Sequence, residues 1–325
     1  MTNGKSVNEF DVLTRADNVP VREDSQLIKY NESGVPIVTR VMLGTATTGL
    51  VRFEWHNARQ SQIIPMNWGY VGHAQHIPSY NPLGYMVADA QNLIVRAAVE
   101  GDYEWLILHE HDVILPPTAF FQMNDYIRRG DVPIVSGLYF SRHIPSDPLI
   151  FRGRGTSVYT DWFKQGESKV WCDGVPTGIL LIHMSIIKAM WEESEEYVVF
   201  GEKVRRVFET PQLQYIDRDQ PDVLMAQVGT SDLEWCTRIM QGGFFKKAGW
   251  DEFEGKQYPF LVDTDIFCMH INPDGKQFPP EGQQYWQALL ETRGEVPAEP
   301  ESEPAPLQIN LSETMKAGQS FGPNR

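Results

Sequence analysis

Cysteine is scarce in this chain, with three among 325 residues, at positions 172, 236 and 268. Thiols so few and so scattered rule against a disulfide framework or a thiolate zinc cluster. Two of them sit in apolar strand or helix patterns, where cysteine serves as a small core residue. Long apolar runs are missing too. None approaches the roughly 18 residues of a membrane-spanning helix, so no membrane span is expected. The opening Met1-Thr-Asn-Gly-Lys-Ser lacks the apolar stretch of a secretory signal. These absences predict a reduced, intracellular setting. Positive charge is in deficit: 28 Lys and Arg against 43 Asp and Glu leave a formal net charge of −15. That balance disfavours non-specific attraction to nucleic acid or anionic membrane, both of which need a positive field. Neither a Gly-X-Gly-X-X-Gly pattern nor a phosphate-loop lysine follows the first strand, which weakens dinucleotide-binding and nucleotide-hydrolase readings.

What is present is a core-sized apolar fraction, 42%, and one conspicuous segment, Trp105-Leu-Ile-Leu-His-Glu-His-Asp112. Four consecutive apolar residues read as a strand covered on both faces, as in the middle of a parallel sheet. Glu110 and Asp112 follow at its carboxyl end, the edge at which open α/β sheets bind ligands. Strand alternation would point both carboxylates, with His111 beside them, at one spot. Two oxygen ligands there suit Mg²⁺ or Mn²⁺, ions usually completed by substrate phosphate and water.

The order of elements supports an α/β domain. Residues 1–34 are polar and read as an N-terminal arm. Pro36 to Leu43 forms a β-branched strand, followed by the small-residue loop Gly44–Gly49 and a helix over about 51–64. Residues 65–82, rich in Gly, Pro, Asn and Tyr, read as a long surface loop. Helices are expected over 85–99 and from Pro116-Pro117 through Ile127, since proline suits a first helical turn. A strand over 131–139 follows, then a strand over 175–183, a helix over 185–191, a helix over 231–240 stopped by Gly242-Gly243, and a short strand over 263–270. Alternating strands and helices joined by short links argue for a parallel sheet. The catalytic domain is placed at 35–290, and the acidic, proline-rich 291–325 reads as a tail.

Three stretches in this order give a resemblance: Gly101-Asp-Tyr-Glu-Trp-Leu-Ile-Leu-His-Glu-His-Asp112, Ile134-Val-Ser-Gly-Leu-Tyr-Phe-Ser-Arg142, and Thr177-Gly178 followed by Ser231-Asp-Leu-Glu-Trp-Cys-Thr-Arg238 and His270. Over roughly residues 36–272 the chain resembles GT-A glycosyltransferases of the family-2-like, phage and bacterial kind. The resemblance implies an α/β fold with a GT-A-like mixed, mainly parallel sheet flanked by helices. It implies transfer of a sugar, with inversion in the family manner, from a nucleotide-diphosphate sugar, a UDP-sugar favoured, to an acceptor hydroxyl. The acceptor class stays open among glycan, lipid carrier, protein and modified DNA, and the setting becomes the cytoplasm of a bacterium or of an infected host cell.

Residue by residue, the resemblance makes Glu110 and Asp112 the metal motif, with His270 folding back as a third ligand to Mn²⁺ or Mg²⁺. Asp232 aligns with the base that accepts the proton of the acceptor hydroxyl. Thr45, Thr47, Asn92, Glu110, Thr177 and Gly178 fall at donor-binding positions. The departures are Glu110 in place of the first Asp, Gln91-Asn92 where the family carries Arg-Asn, and Ser231-Asp232 where it carries Glu-Asp. Taken bare of the resemblance, each residue has a plainer explanation: strand-end carboxylates making caps or surface pairs, His270 as a hydrogen-bonded rim residue, and Ser231-X-X-Glu234 as a capping box. Tyr139 and Arg142 are placed near the donor or acceptor pocket, and Trp68, Tyr70, Trp162 and Trp171 are candidates to stack on sugar faces. Two other readings compete. One is an inactive GT-A-like nucleotide-sugar or glycan-binding module, favoured by Gln91 and Ser231; the other is a metal-dependent hydrolase built on His109 and His111.

Overall fold

The computed structural model describes residues 29–30, 36–37, 39–68, 70–71, 74–153, 158–163, 166–216, 224–280 and 282. Of the expected arm it describes only Lys29–Tyr30, which pairs antiparallel with Pro36–Ile37; the expected tail lies outside the described residues. The centre is a seven-stranded sheet. Its strands in chain order are β1 (Val41–Gly44), β2 (Ser79–Tyr80), β3 (Trp105–His109), β4 (Ile134–Leu138), β5 (Lys169–Cys172), β6 (Ile179–His183) and β7 (Phe260–Phe267). Across the sheet they lie in the order β5-β7-β4-β6-β3-β1-β2. β2, β1 and β3 run parallel, as do β4 and β7. β6 is inserted antiparallel between β3 and β4, and β5 closes one edge antiparallel to β7. The mixed, mainly parallel sheet is therefore present.

The apolar run of β3 is explained by cover on both faces. Leu106 and Leu108 join one cluster with Ile94, Val95, Ile186, Ile187 and Trp235, brought by helices α2 (Val87–Glu100), α4 (Met184–Glu193) and α5 (Ser231–Gln241). Trp105 and Ile107 join a second with Phe120 and Met123 of α3 (Ala119–Arg129). With neither face wet, nothing selects for polar alternation. The three cysteines are buried and free, in keeping with a core role.

Several expectations need correction. The helix read over 51–64 is shorter, Phe53–Gln60 (α1), because the Gln62 amide turns back onto the Ala58 carbonyl, 2.9 Å away, and onto that of Pro116. The segment 65–82 is not a surface loop throughout: Ser79–Tyr80 extends the sheet beside β1, and Trp68 is fully buried with its indole N–H on Asn124, 2.7 Å away. The strand read over 263–270 is two strands. β7 begins earlier, at Phe260, and after Cys268 the chain enters a separate three-stranded sheet made of Val113–Ile114, Met269–Ile271 and Gln277–Phe278. β5 was unforeseen, its four residues being too short and too mixed to show a period. Among the described residues, no helix is long and apolar enough to cross a membrane.

Candidate functional site

The small sheet is what builds the site. β3 ends at His109, and residues 110–113 form a tight turn closed by the Val113 N–H on the Glu110 carbonyl, at 3.3 Å. Val113 then pairs with His270, and the Ile271 N–H reaches the Asp112 carbonyl at 2.8 Å. His270 therefore stands beside Asp112 although 158 positions separate them in sequence. Because the strand stops before the two carboxylates, alternation does not govern them: Glu110 turns to Thr177 and Asp112 to Arg142, whose charge also acts on Glu110.

Glu110 belongs to a buried polar chain. Its N–H donates to the Gly178 carbonyl at 2.9 Å, which extends the β3–β6 pairing by one residue. Its Oε1 accepts from the Thr177 hydroxyl at 2.8 Å. The Gln91 amide donates to Thr177 Oγ1 at 3.0 Å, and Gln91 Oε1 accepts from the Ser231 hydroxyl at 2.9 Å. Gln91 and Ser231, the two departures from the family pattern, thus satisfy one another. A neutral amide–hydroxyl pair closes the gap between α2 and α5. The capping box does not form: Thr230, not Ser231, is the N-cap of α5, and Glu234 pairs with Arg238 at 3.6 Å.

Asp232 follows Ser231 at the start of α5, which is fixed by Trp235, Cys236 and Ile239 in the core. Trp235 is wholly buried and stacks on Phe208 at 5.1 Å. The Asp232 carboxylate accepts from the Leu233 N–H at 2.8 Å and is also held by the Thr230 hydroxyl and the Thr177 backbone. Burial nevertheless raises its pKa, and those hydrogen bonds only partly oppose the rise. Burial, reinforced by the charge of Asp232, pushes Glu110 up to about 7 against the Thr177 hydrogen bond and Arg142. Two carboxylates with weakened acidity thus face one another electrostatically at the carboxyl edge of the sheet.

A second group lies on the far side of Arg142. The His270 Nδ1–H donates to the Phe140 carbonyl at 2.8 Å, which leaves Nε2 as an acceptor for the Arg142 Nε–H, also at 2.8 Å. Burial, seconded by Arg142, lowers the His270 pKa to about 4, so the ring is neutral at pH 7. Its 3.6 Å approach to Asp112 is then no ion pair; the charged partner of Asp112 is the Arg142 Nη2. The second oxygen of Asp112, Oδ1, is buried without a hydrogen-bond partner among the described residues. Tyr139 stands edge-on to His270 with ring centres 5.5 Å apart, and its hydroxyl accepts from the Gly178 N–H at 2.8 Å.

Other expected residues have structural duties. Asn92 is fully buried with its amide spent on the Tyr197 hydroxyl (2.9 Å) and on the N–H and carbonyl of Phe208 (2.8 Å each), so it does not face a ligand. At Gly178 a Cβ would overlap the Tyr139 ring, which by itself accounts for the glycine. Thr45 and Thr47 lie in the loop after β1, tied by their N–H groups to the carbonyls of Tyr80 (3.1 Å) and Pro82 (3.3 Å). Trp162 is buried in the core, Trp171 packs against it, and the side chain of Tyr70 lies outside the described residues. His109 is buried with Nε2 on the Val113 carbonyl at 2.7 Å, and His111 Nδ1 lies 3.1 Å from the Ala46 carbonyl, so the two do not form a shared metal site. Sequence reasoning passes over Trp55, which stacks on His109 at 5.1 Å and donates to the Glu110 carbonyl at 2.8 Å. One tryptophan on a polar helix offers no pattern to find it by.

The residues present do not assemble the expected three-ligand metal site. Glu110 is drawn to Thr177, while Asp112 Oδ2 and His270 Nε2 are both taken by Arg142. Among the described residues, no group of three His, Cys, Asp or Glu side chains could hold a metal ion.

The sequence matches no family model and no curated protein. Among solved structures, A197 from STIV superimposes with a TM-score of 0.46 at 11% identity, covering 75% of this chain and 92% of that one. A CMP:2-keto-3-deoxy-manno-octonic acid synthetase complexed with CTP gives 0.25 at 8% identity, with 78% and 99% covered. Similarity at these levels assigns neither fold family nor activity, so the functional argument rests on the site.

Proposed function

We propose that the protein is a glycosyltransferase that moves a sugar from a nucleotide-diphosphate donor, a UDP-sugar favoured, to an acceptor hydroxyl. The observation that carries this reading is Asp232, a half-buried carboxylate at the carboxyl edge of the sheet with weakened acidity, whose charge acts on Glu110, which in turn feels the Arg142 guanidinium. Sugar transfer asks for both. An alcohol is a poor nucleophile at neutral pH and needs a base in hydrogen-bond reach. The departing nucleoside diphosphate gains negative charge and needs a fixed positive group. In the step proposed, the acceptor oxygen forms a bond to the anomeric carbon while its proton passes to Asp232. The bond from that carbon to the phosphate oxygen breaks, and its electron pair leaves with the diphosphate. Attack opposite the leaving group inverts the anomeric centre.

The preformed loop at Thr45 and Thr47 would take the base and ribose, and Glu110, oriented by Thr177, would accept a donor hydroxyl. Mn²⁺ or Mg²⁺ stays a proposal from the resemblance alone and is given no step here. Gln91 and Ser231, the features that favour the binding-module alternative, complete the polar chain to Glu110, and turnover that is lost in Asp232→Asn separates the two readings.

The test is nucleotide release from a panel of UDP-, GDP-, ADP-, CMP- and TDP-sugars, with wild type and Asp232→Asn. One nucleotide should be released, and the variant should lose about 10²–10⁴-fold in rate, the usual contribution of a general base, while binding that nucleotide as before. Undiminished turnover in Asp232→Asn would remove the base, and absence of binding to any donor would remove the reading.

A further inference from the structure

We infer that Arg142, rather than a divalent cation, is the positive charge that grips the donor's diphosphate in this protein. The inference rests on the transferase reading above and departs from the metal that the resemblance implies. Its basis is the allocation of lone pairs. A cation bound by Asp112 and His270 would need the two acceptor positions that Arg142 already fills, at Asp112 Oδ2 and His270 Nε2. The His270 ring cannot offer its other nitrogen, which is committed to the Phe140 carbonyl at 2.8 Å. Glu110 is engaged by Thr177 at 2.8 Å. Beyond the second oxygen of Glu110, which makes no hydrogen bond among the described residues, what remains is Asp112 Oδ1. A dication placed against it would also meet the like charge of the guanidinium at close range.

The same geometry equips Arg142 for the task. Its inward edge, Nε and one N–H of Nη2, is spent on His270 and Asp112. Nη1 makes no hydrogen bond among the described residues, and the side chain is 38% exposed, so the outer edge faces the open side of the site. A planar guanidinium pinned along one edge presents parallel donors along the other, the arrangement that matches two phosphate oxygens. Held by Asp112 and by a neutral histidine, it needs no reorganisation when charge develops on the leaving group.

The test is titration calorimetry of UDP, GDP, ADP, CDP and TDP against the full chain, in EDTA and again in Mn²⁺. Wild type, Arg142→Met and Arg142→Lys are compared, with the free nucleoside as control. One diphosphate should bind equally well in EDTA and in Mn²⁺. Arg142→Met should weaken it at least tenfold without changing nucleoside binding, and Arg142→Lys should recover part of the loss. Mn²⁺ alone, followed by electron paramagnetic resonance, should bind stoichiometrically to none of the three except Arg142→Met, where Asp112 and His270 are released. Diphosphate binding that vanishes in EDTA, or stoichiometric Mn²⁺ uptake by wild type, would overturn the inference and leave the transferase reading standing. Failure of every diphosphate in both conditions would overturn the two together. Nucleoside binding that survives in Arg142→Met shows that the variant is folded.

Discussion

Replacing Glu110 by Gln keeps the side chain's shape and its acceptor for Thr177 while removing the ability to ionise. In the folded protein burial and Asp232 hold Glu110 up to about 7, against an ordinary 4.5. A carboxyl with a raised pKa favours the folded state below about pH 4.5, and that advantage is lost as pH rises through about 7. At about 1.4 kcal/mol per pH unit the whole difference would be worth about 3.5 kcal/mol. Glu110 is half-buried rather than sealed, so about 1–2 kcal/mol is the working figure. Wild type and Glu110→Gln should therefore melt together at pH 5, and the variant should be the more stable at pH 8. At roughly 2–4 °C per kcal/mol for a domain of this size, the gap at pH 8 is about 2–8 °C. His109, held at about 3 by burial, and His183 and His270, held at about 4, act in the opposite direction. Their neutral forms lose stability as pH falls below 6.5, but they are common to both proteins and cancel in the difference. Scanning fluorimetry from pH 4.5 to 8.5 measures it. A difference that is flat with pH, or a variant less stable at pH 8, would refute the account of Glu110 as a carboxyl kept from ionising by its surroundings.

Two further substitutions probe the supports of the site. Gly178→Ala forces a Cβ into the Tyr139 ring and should cost about 1–3 kcal/mol by overpacking, measured as a shift in urea midpoint. A second change, Tyr139→Leu, should recover part of that loss, and strict additivity would show that the two do not collide. Asn92→Ala strands the buried N–H and carbonyl of Phe208 and should cost about 2–4 kcal/mol in the same assay, with nucleotide affinity unchanged. Lost affinity at unchanged stability would return Asn92 to the binding surface.

The sequence discloses the sheet more readily than the site. Trp105 to Leu108 advertises a doubly covered strand because four apolar residues in a row admit few other places. Direction is another matter: Ile179–His183 reads as a strand, yet nothing in its side chains says that it runs against its neighbours. At the site, identity misleads where burial decides. Asn92 as a ligand and Asn92 as a bracket for Phe208 are the same letter, and the difference lies in partners 105 and 116 positions away. Glu110 and Asp112 read as a same-face pair only when strand periodicity is carried three residues past the end of the strand. Arg142 stood in the right region, but its pairing with Asp112 and His270 depends on a small sheet that pairs 113 with 270.

That small sheet also sets an order of events during synthesis. A ribosome that has released the chain through Arg142, four residues past β4, has already delivered Glu110, Asp112 and Arg142. Arg142 must still wait 128 residues for His270, and Glu110 must wait for Thr177 and for the start of α5. Until Met269–Ile271 docks on Val113–Ile114, the guanidinium has one anchor instead of two, and until α5 is made the proposed base is absent. Partial chains therefore hold charged residues of the site without its geometry, and nucleotide binding should emerge abruptly with the last strands rather than grow with chain length.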